Sequence, residues 1–263
     1  MKNPSLLAAT IALALFSIGL IHAAESAAPS TAQSANELAA KMDAAGQGSA
    51  SIRTKLEIRT NNGAKRVWQI QIKQRRTKTT TDLVYLVLWP NEQKGKAVIL
   101  HQKAGEAPTG SLINPPNDVR PLKAAKMGEG LFDSDLAYQD AVENFFAWKK
   151  QTLVGSEVID NVNCQILESK PDSPSESIYG KVRSWVDPSR LVPLRVEKYS
   201  PSGELVRRID TDRIARDEKH NPIPAWLTVR RPGKDTVTEL NGANIKQDVE
   251  FTDADFTPAS VLR

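Results

Sequence analysis

The sequence predicts a mainly β protein: an incomplete, half-open antiparallel barrel of about ten or eleven strands, covered by two or three short α-helices. Three observations carry this. Apolar and polar residues alternate with period two along much of the chain from Ile52 onward, the pattern of strands with one wet and one buried face. Turn sequences punctuate the runs, among them Asn61-Asn62-Gly63, Asp187-Pro188-Ser189-Arg190 and Ser200-Pro201-Ser202-Gly203. Helical periodicity is confined to short stretches that cannot form a stable layer alone. Consecutive antiparallel strands must curl to hide a common apolar face. A little amphipathic helix suits a cover over an open barrel, and a two-sheet sandwich is the alternative.

Taken in order, Lys2, the apolar run Leu6 to Leu20 and a small-residue cleavage point after Ala23 read as a secretory signal peptide over residues 1–23. The run is short for a membrane span, which needs about 20 residues; an uncleaved anchor is the other reading. No cysteine follows the cleavage region, so the chain is not expected to be lipidated there. Residues 24–35, AESAAPSTAQSA, form an Ala/Ser/Pro-rich leader, and residues 36–263 one domain. The expected location is the periplasm.

The stretch ANELAAKMDAA puts Leu38, Met42 and Ala45 on one helical stripe, with Asn36 as N-cap and Gly46 as stop. Alternation then sets in. Ile52, Thr54, Leu56 and Ile58 form one face of a first strand, and Trp68, Ile70 and Ile72 of a second. TTTDLVYLVLW is rich in β-branched and aromatic residues and stops at Pro90, and KAVILHQ supplies a fourth strand. Which face of 83–89 points inward is open, because the apolar run is continuous. Residues 103–135, with Pro108, Pro115, Pro116 and Pro121, read as irregular. A helix is expected from Leu136 to Trp148, its start capped by Asp133 or Ser134 with acids in its first turn. Seven further strand patterns follow, from TLVGSEVI to DTVTELNGANI.

Composition excludes several functions. Without Lys2, 34 of the 35 Lys and Arg remain against 31 Asp and Glu, and KQRR (73–76) and VRR (229–231) are the densest basic stretches. A nucleic-acid footprint needs a clustered basic stripe, and none is present. Cys164 is the one cysteine, which excludes an intramolecular disulfide and fits a small buried hydrophobe. His101 and His220 lack metal-ligand spacing. There is no G-x-S-x-G elbow, and GQG and GEG do not lead into phosphate loops. Calcium binding by Asp133 and Asp135 is the other reading of these acids, with a ligand count too low to argue it further. No catalytic residue, metal or cofactor is expected; a hydrolase would have to draw on Asp135, Tyr138 and Asp140.

The segment MGEGLFDSDLAYQDAVENFFAWKKQTLVGSEVIDNVNCQILESKP resembles the central part of the periplasmic outer-membrane lipoprotein-sorting proteins, the LolA/LolB-like superfamily. Ser134, Asp135, Tyr138, Asp140, Gly155 and Cys164 fall on its Ser-Asp-x-x-Tyr-x-Asp run and the two strands after it. RSWVDPSRLVPLRVEKYSPSGELVRRIDTDRI is similar to the family's strand, turn and hairpin, with Pro201-Ser202-Gly203 at the turn. Phe256, Thr257 and Leu262 match its C-terminal Phe-Thr-x-x-x-Leu. Two departures stand out: Asp133 where glycine is common, and the unusually aromatic NFFAWKK.

The resemblance implies a lipid-binding barrel, with acyl chains of a lipid or lipoprotein held in an apolar cavity during transfer toward the outer membrane. Each methylene removed from water contributes about 0.8 kcal/mol. Trp68, Ile70, Ile72, Tyr85, Val87 and Trp89 are the expected strand residues of that cavity, with Leu38, Met42, Phe145 and Phe146 from the helices. Implied partners are the lipid or acylated lipoprotein, an inner-membrane transporter and an outer-membrane acceptor, with the protein itself a monomer. The alternative is a sensor or adaptor of the same fold that assists an inner-membrane complex without carrying lipid.

Overall fold

The computed structural model describes residues 34–262; the expected signal peptide and most of the leader lie outside the described residues. The first helix, α1 (Ala35–Gly46), starts two residues earlier than an Asn36 cap would have it, because Ser34 caps it. The Ser34 hydroxyl accepts the Glu37 amide at 3.2 Å, while Glu37 accepts the Ser34 amide at 2.9 Å, a reciprocal capping box. Leu38, Ala39 and Met42 form its buried stripe.

Thirteen strands follow, all antiparallel to their neighbours. They are β1 (Gly48–Thr60), β2 (Lys65–Arg76), β3 (Thr80–Trp89), β4 (Ala97–Lys103), β5 (Thr109–Asn114) and β6 (Asp118–Leu122), then β7 (Lys150–Ile159), β8 (Val162–Lys170), β9 (Lys181–Asp187), β10 (Val192–Tyr199), β11 (Leu205–Arg216), β12 (Pro222–Arg230) and β13 (Thr236–Gln247). Two short helices, α2 (Tyr138–Val142) and α3 (Pro258–Val261), complete the set. The mainly β, half-open architecture is as the sequence predicts, with two more strands. The added pair, β5 and β6, lies in the stretch read as irregular. Pro115 and Pro116 occupy its turn, and Pro121 sits in β6 at the sheet edge, where a missing N–H does not interrupt an inner ladder.

The sheet order is β6-β5-β4-β3-β2-β1-β13-β12-β11-β10-β9-β8-β7. Two meanders are joined along β1 and β13, and both outer strands, β6 and β7, remain unpaired on one side. The chain passes from one edge of the sheet to the other through residues 123–149. Twelve spacings of about 4.8 Å would separate those edges by roughly 58 Å in a flat sheet. Yet one apolar cluster contains Leu122 of β6, Leu100 of β4, Trp68 of β2 and Val229 of β12, with Ile209 of β11 packed against it. These meet on the same connecting residues, Met127 to Val142, so the sheet curls around its own edge-to-edge connection.

The connection is less helical than expected. Instead of one helix from Leu136 to Trp148, it holds a tight turn at Leu131–Asp133, then α2, then a 3₁₀ turn at Phe145–Ala147. Asn144 breaks the run with extended-side dihedrals (φ −115, ψ 78), its side chain donating to Asp43 of α1 at 2.7 Å. Neither Asp133 nor Ser134 caps α2. Ala137 stands at the N-cap, and its amide donates to Asp140 at 2.7 Å.

The face of β3 is settled. Leu83, Tyr85 and Val87 point into the curl. Val84 and Leu86 point out, joining Ala97, Ile99 and Ile113 beneath Phe251, Phe256 and Val261 of the C-terminal segment. The continuous apolar run reflects cover on both faces. Cys164 is fully buried beside Trp185, Val192 and Leu194.

Candidate functional site

The inner face is built from alternate residues in register. Leu56 lies opposite Trp68, Thr54 opposite Ile70, Ile70 opposite Val87, and Ile72 opposite Tyr85. Tyr85 continues to Val98 and Leu83 to Leu100. Five of the expected cavity residues, Trp68, Ile70, Ile72, Tyr85 and Val87, thus share one surface. The others lie elsewhere. Leu38 and Met42 join Leu167 and Val186, with Phe146 packed against them, beneath α1. Phe145 packs with Trp148, Val182 and Val196. Trp89 is not part of either surface and is 45 % exposed. A register shift between Gln69 and Ile70 puts it opposite outward-facing Gln69, which turns its ring away from the row it was expected to extend.

The connection fills the inner face. Phe132 stacks on Trp68 with ring centroids 5.5 Å apart and planes at 26°. Phe132 and Asp133 hold consecutive left-handed conformations (φ 52 and 59), which non-glycine residues adopt at a cost, aspartate less than phenylalanine. Beneath this stack the Trp68 indole N–H is buried without an acceptor among the described residues. A strained turn and an orphaned donor meet at one contact.

Charged groups anchor the same connection deeper inside, a feature the sequence reading missed. Asp140 accepts from Tyr179 Oη at 2.6 Å and lies 3.0 Å from both Lys198 Nζ and Arg207 Nε. Lys198 also reaches Glu143 at 3.1 Å, which accepts from Gln139 at 2.8 Å and from Ser177. Arg207 donates to the carbonyls of Asp135 (2.8 Å) and Gly128 (2.9 Å) and to Tyr179 Oη (3.0 Å). Burial pushes the Asp140 carboxyl up, but Lys198 and Arg207 outweigh it and hold it below the usual carboxylate range. Glu143 is raised by burial, which Lys198 does not fully offset. Burial pulls the Lys198 ammonium down, yet Asp140 and Glu143 leave it above its ordinary value.

Two carboxylates and two cations balance here, and Asp140 is fully partnered. Asp135 is engaged separately, accepting from Thr236 (2.7 Å) and Thr238 (2.9 Å) of β13. Tyr138 belongs to the apolar cluster. Asp135, Tyr138 and Asp140 therefore do not converge on a common point; the two acids tie the connection to β10, β11 and β13. Asp140 does serve the start of α2, but its main partners come from strands far away in sequence. Among the described residues no cluster of His, Cys, Asp or Glu has the makings of a metal site. No described helix is long and apolar enough to cross a membrane.

This curled, open antiparallel sheet with a covering connection is a fold shared with several solved structures. A putative outer membrane lipoprotein-sorting protein domain from Vibrio parahaemolyticus superposes with a TM-score of 0.79 at 18% identity, covering 87% of this chain and 98% of that one. A DUF1329 family protein from Desulfovibrio piger gives 0.78 at 20%, covering 86% and 97%. A LolA superfamily protein from Nitrosomonas europaea gives 0.71 at 19%, covering 86% and 99%. A family model described as "-like: Uncharacterized protein" matches residues 78–263, well over half of the chain, and the chain belongs to that family. No curated protein matches it.

Proposed function

We propose that the protein is a periplasmic carrier that holds acyl chains of a lipid or lipoprotein against the inner face of its sheet, on the way toward the outer membrane. The observation that carries this reading is the strained, stacked contact of Phe132 on Trp68 over a continuous apolar surface. Release of the connection would start at this strained contact and would have to give up the burial of Met127, Leu131, Leu136 and Val142 and the bonds at Gly128 and Asp135. Acyl chains would then replace the apolar side chains of the connection. The similar structure from Vibrio parahaemolyticus, named a putative outer membrane lipoprotein-sorting protein domain, supports the same class of cargo. Residues 1–23 as a cleaved signal peptide would deliver the chain to that compartment, with 36–263 as the carrier domain.

The first measurement is mass spectrometry of an organic extract of protein purified from the periplasm. Stoichiometric lipid or acylated peptide is expected. A folded, lipid-free protein that also fails to take up a fluorescent acyl probe would overturn the carrier reading. The adaptor reading would then lead, and one observation favours it. Strand β7 is a ten-residue sheet edge with Val154 and Val158 exposed at 44 % and 65 %, an arrangement to which an extended partner segment can add a strand.

A further inference from the structure

The inner face changes character at one level across three strands. On β3, Tyr85 and Leu83 give way to Thr81; on β4, Val98 and Leu100 give way to Gln102, its register partner. On β2, Ile72 is followed by Gln74 and then by Arg76, which lies opposite Thr81. The apolar surface therefore has one polar end. An open cleft of ≈ 200 Å³ sits there, between the β2–β3 turn, the β4–β5 turn and residues 144–149 of the covering connection. That volume is about seven waters' worth.

The cleft is lined by two lysines, Lys78 and Lys149, and two acids, Asp172 and Glu176, and so has no net formal charge; what differs is which of these groups are already engaged. Glu176 is buried, and its two carboxylate oxygens accept the amides of Gly105 (3.2 Å) and Asp172 (3.0 Å). Asp172 in turn accepts the Lys149 amide at 3.3 Å. Both Glu176 oxygens and one Asp172 oxygen are thus taken by main-chain amides, while both carboxylates keep their charge. Lys78 and Lys149, by contrast, line the cleft and take part in no ion pair among the described residues, and the hydroxyls of Thr79 and Thr81 accept or donate no bond there. Buried Trp148 forms part of the wall. Two ammonium groups and two hydroxyls without partners among the described residues, at the polar end of the inner face, are the groups left to bond a ligand.

Building on the carrier reading, we infer that this cleft receives the phosphate of an amphiphile whose acyl chains lie on the inner face, with Lys78 and Lys149 as its cationic partners. Charge-assisted bonds to phosphate oxygens are the strong class of such contacts, and they fix which end of the cargo points out. The lysines select the head, and the row from Trp68 to Tyr85 takes the chains.

The test is calorimetric titration of the full-length chain with three probes: dihexanoyl phosphatidic acid, uncharged dihexanoylglycerol and inorganic phosphate. It is run on the unmodified protein, on a Lys78→Gln/Lys149→Gln double variant and on the Lys78→Arg/Lys149→Arg pair. The double glutamine variant is expected to bind phosphatidic acid about tenfold or more weakly, to bind dihexanoylglycerol unchanged, and to be rescued by arginine. Both lysines are exposed, so an unaltered thermal melt is the folding control. Equal loss for the charged and uncharged lipids, or no loss for either, overturns the headgroup assignment while leaving the carrier intact. Inorganic phosphate binding as tightly as phosphatidic acid makes the cleft a free-anion site and overturns it too. If neither lipid binds the unmodified protein, the carrier reading itself falls, and the headgroup assignment with it.

Discussion

At Lys198 an ammonium is buried to 1 % exposure between two carboxylates that are themselves fully buried. Such a pair adds little net stability when whole but is costly to break, because the remaining charge keeps its desolvation penalty. Lys198→Met should therefore lower the unfolding free energy by about 3–5 kcal/mol, read by urea denaturation, and adding Glu143→Gln should recover part of it. A loss under about 1 kcal/mol would show that the pocket is wet. Glu57 presents the opposite geometry: its carboxylate is covered by the more exposed Lys55, Arg59 and Lys65. Burial pushes this carboxyl up, but hydrogen bonds from Lys65, Arg59 and Lys55 outweigh it and bring it from 4.5 down to about 2. A folded-state value below the unfolded one stabilises above the unfolded value and is lost as pH falls through the folded one. The stability gap between the native chain and Glu57→Gln should thus be full above about pH 5 and close toward pH 2. Thermal melts of both proteins across that range check it.

Elements differ in how plainly the sequence announces them. The hairpin of β1 and β2 is legible because one face is wet, and its alternation survives into the register Ile52–Ile72 and Leu56–Trp68. The seven strands from β7 onward are legible for the same reason, with turn residues between them. Strands β5 and β6 are hidden by prolines that an edge tolerates. The connection is hard to read because NFFAWKK and the acids before it have the pattern of one amphipathic helix, which the structure breaks at Asn144. The partners of those acids, Lys198, Arg207, Tyr179 and Thr238, lie 39 or more residues away, and only the curl of the sheet brings them within reach. Five of the ten expected cavity residues could be grouped from alternation alone; Trp89 could not, since a register shift leaves no trace in composition. The C-terminal segment is an element of its own kind, a strap over the outer face of β3 and β4. Arg75 lies over the Phe256 ring at 4.8 Å and pairs with Asp253 at 2.8 Å, and Lys73 pairs with Asp255 at 3.0 Å. Phe256→Ala should cost about 3–5 kcal/mol and free the strap before the sheet melts. A rise in hydrophobic-dye binding at temperatures below the main thermal transition is the expected signal; coincident dye and circular-dichroism transitions would show that strap and sheet unfold as one.

For the whole molecule, the proposed carrier function requires an equilibrium between the connection lying on the inner face and leaving it. Phe132→Ala removes the stack on Trp68, worth about 0.5–1.5 kcal/mol, and so favours the open form. Apparent affinity for a fluorescent acyl probe should rise about two- to tenfold, although the protein itself becomes no more stable. A fall in affinity would mean that Phe132 touches the cargo instead of competing with it. The seam of the sheet has a different consequence. Each meander is stitched from neighbours in sequence, but Ala50 pairs with Gln247 and Thr60 with Thr236, which ties the two ends of the domain together. Non-local pairings of that kind form late. A chain threaded through a membrane with its first residues leading would present β1 with one side bare until β13 arrived. Through that interval β1 is a sticky edge, so the molecule is most exposed to misassembly just before its last strand emerges, and its yield should depend on how quickly translocation finishes.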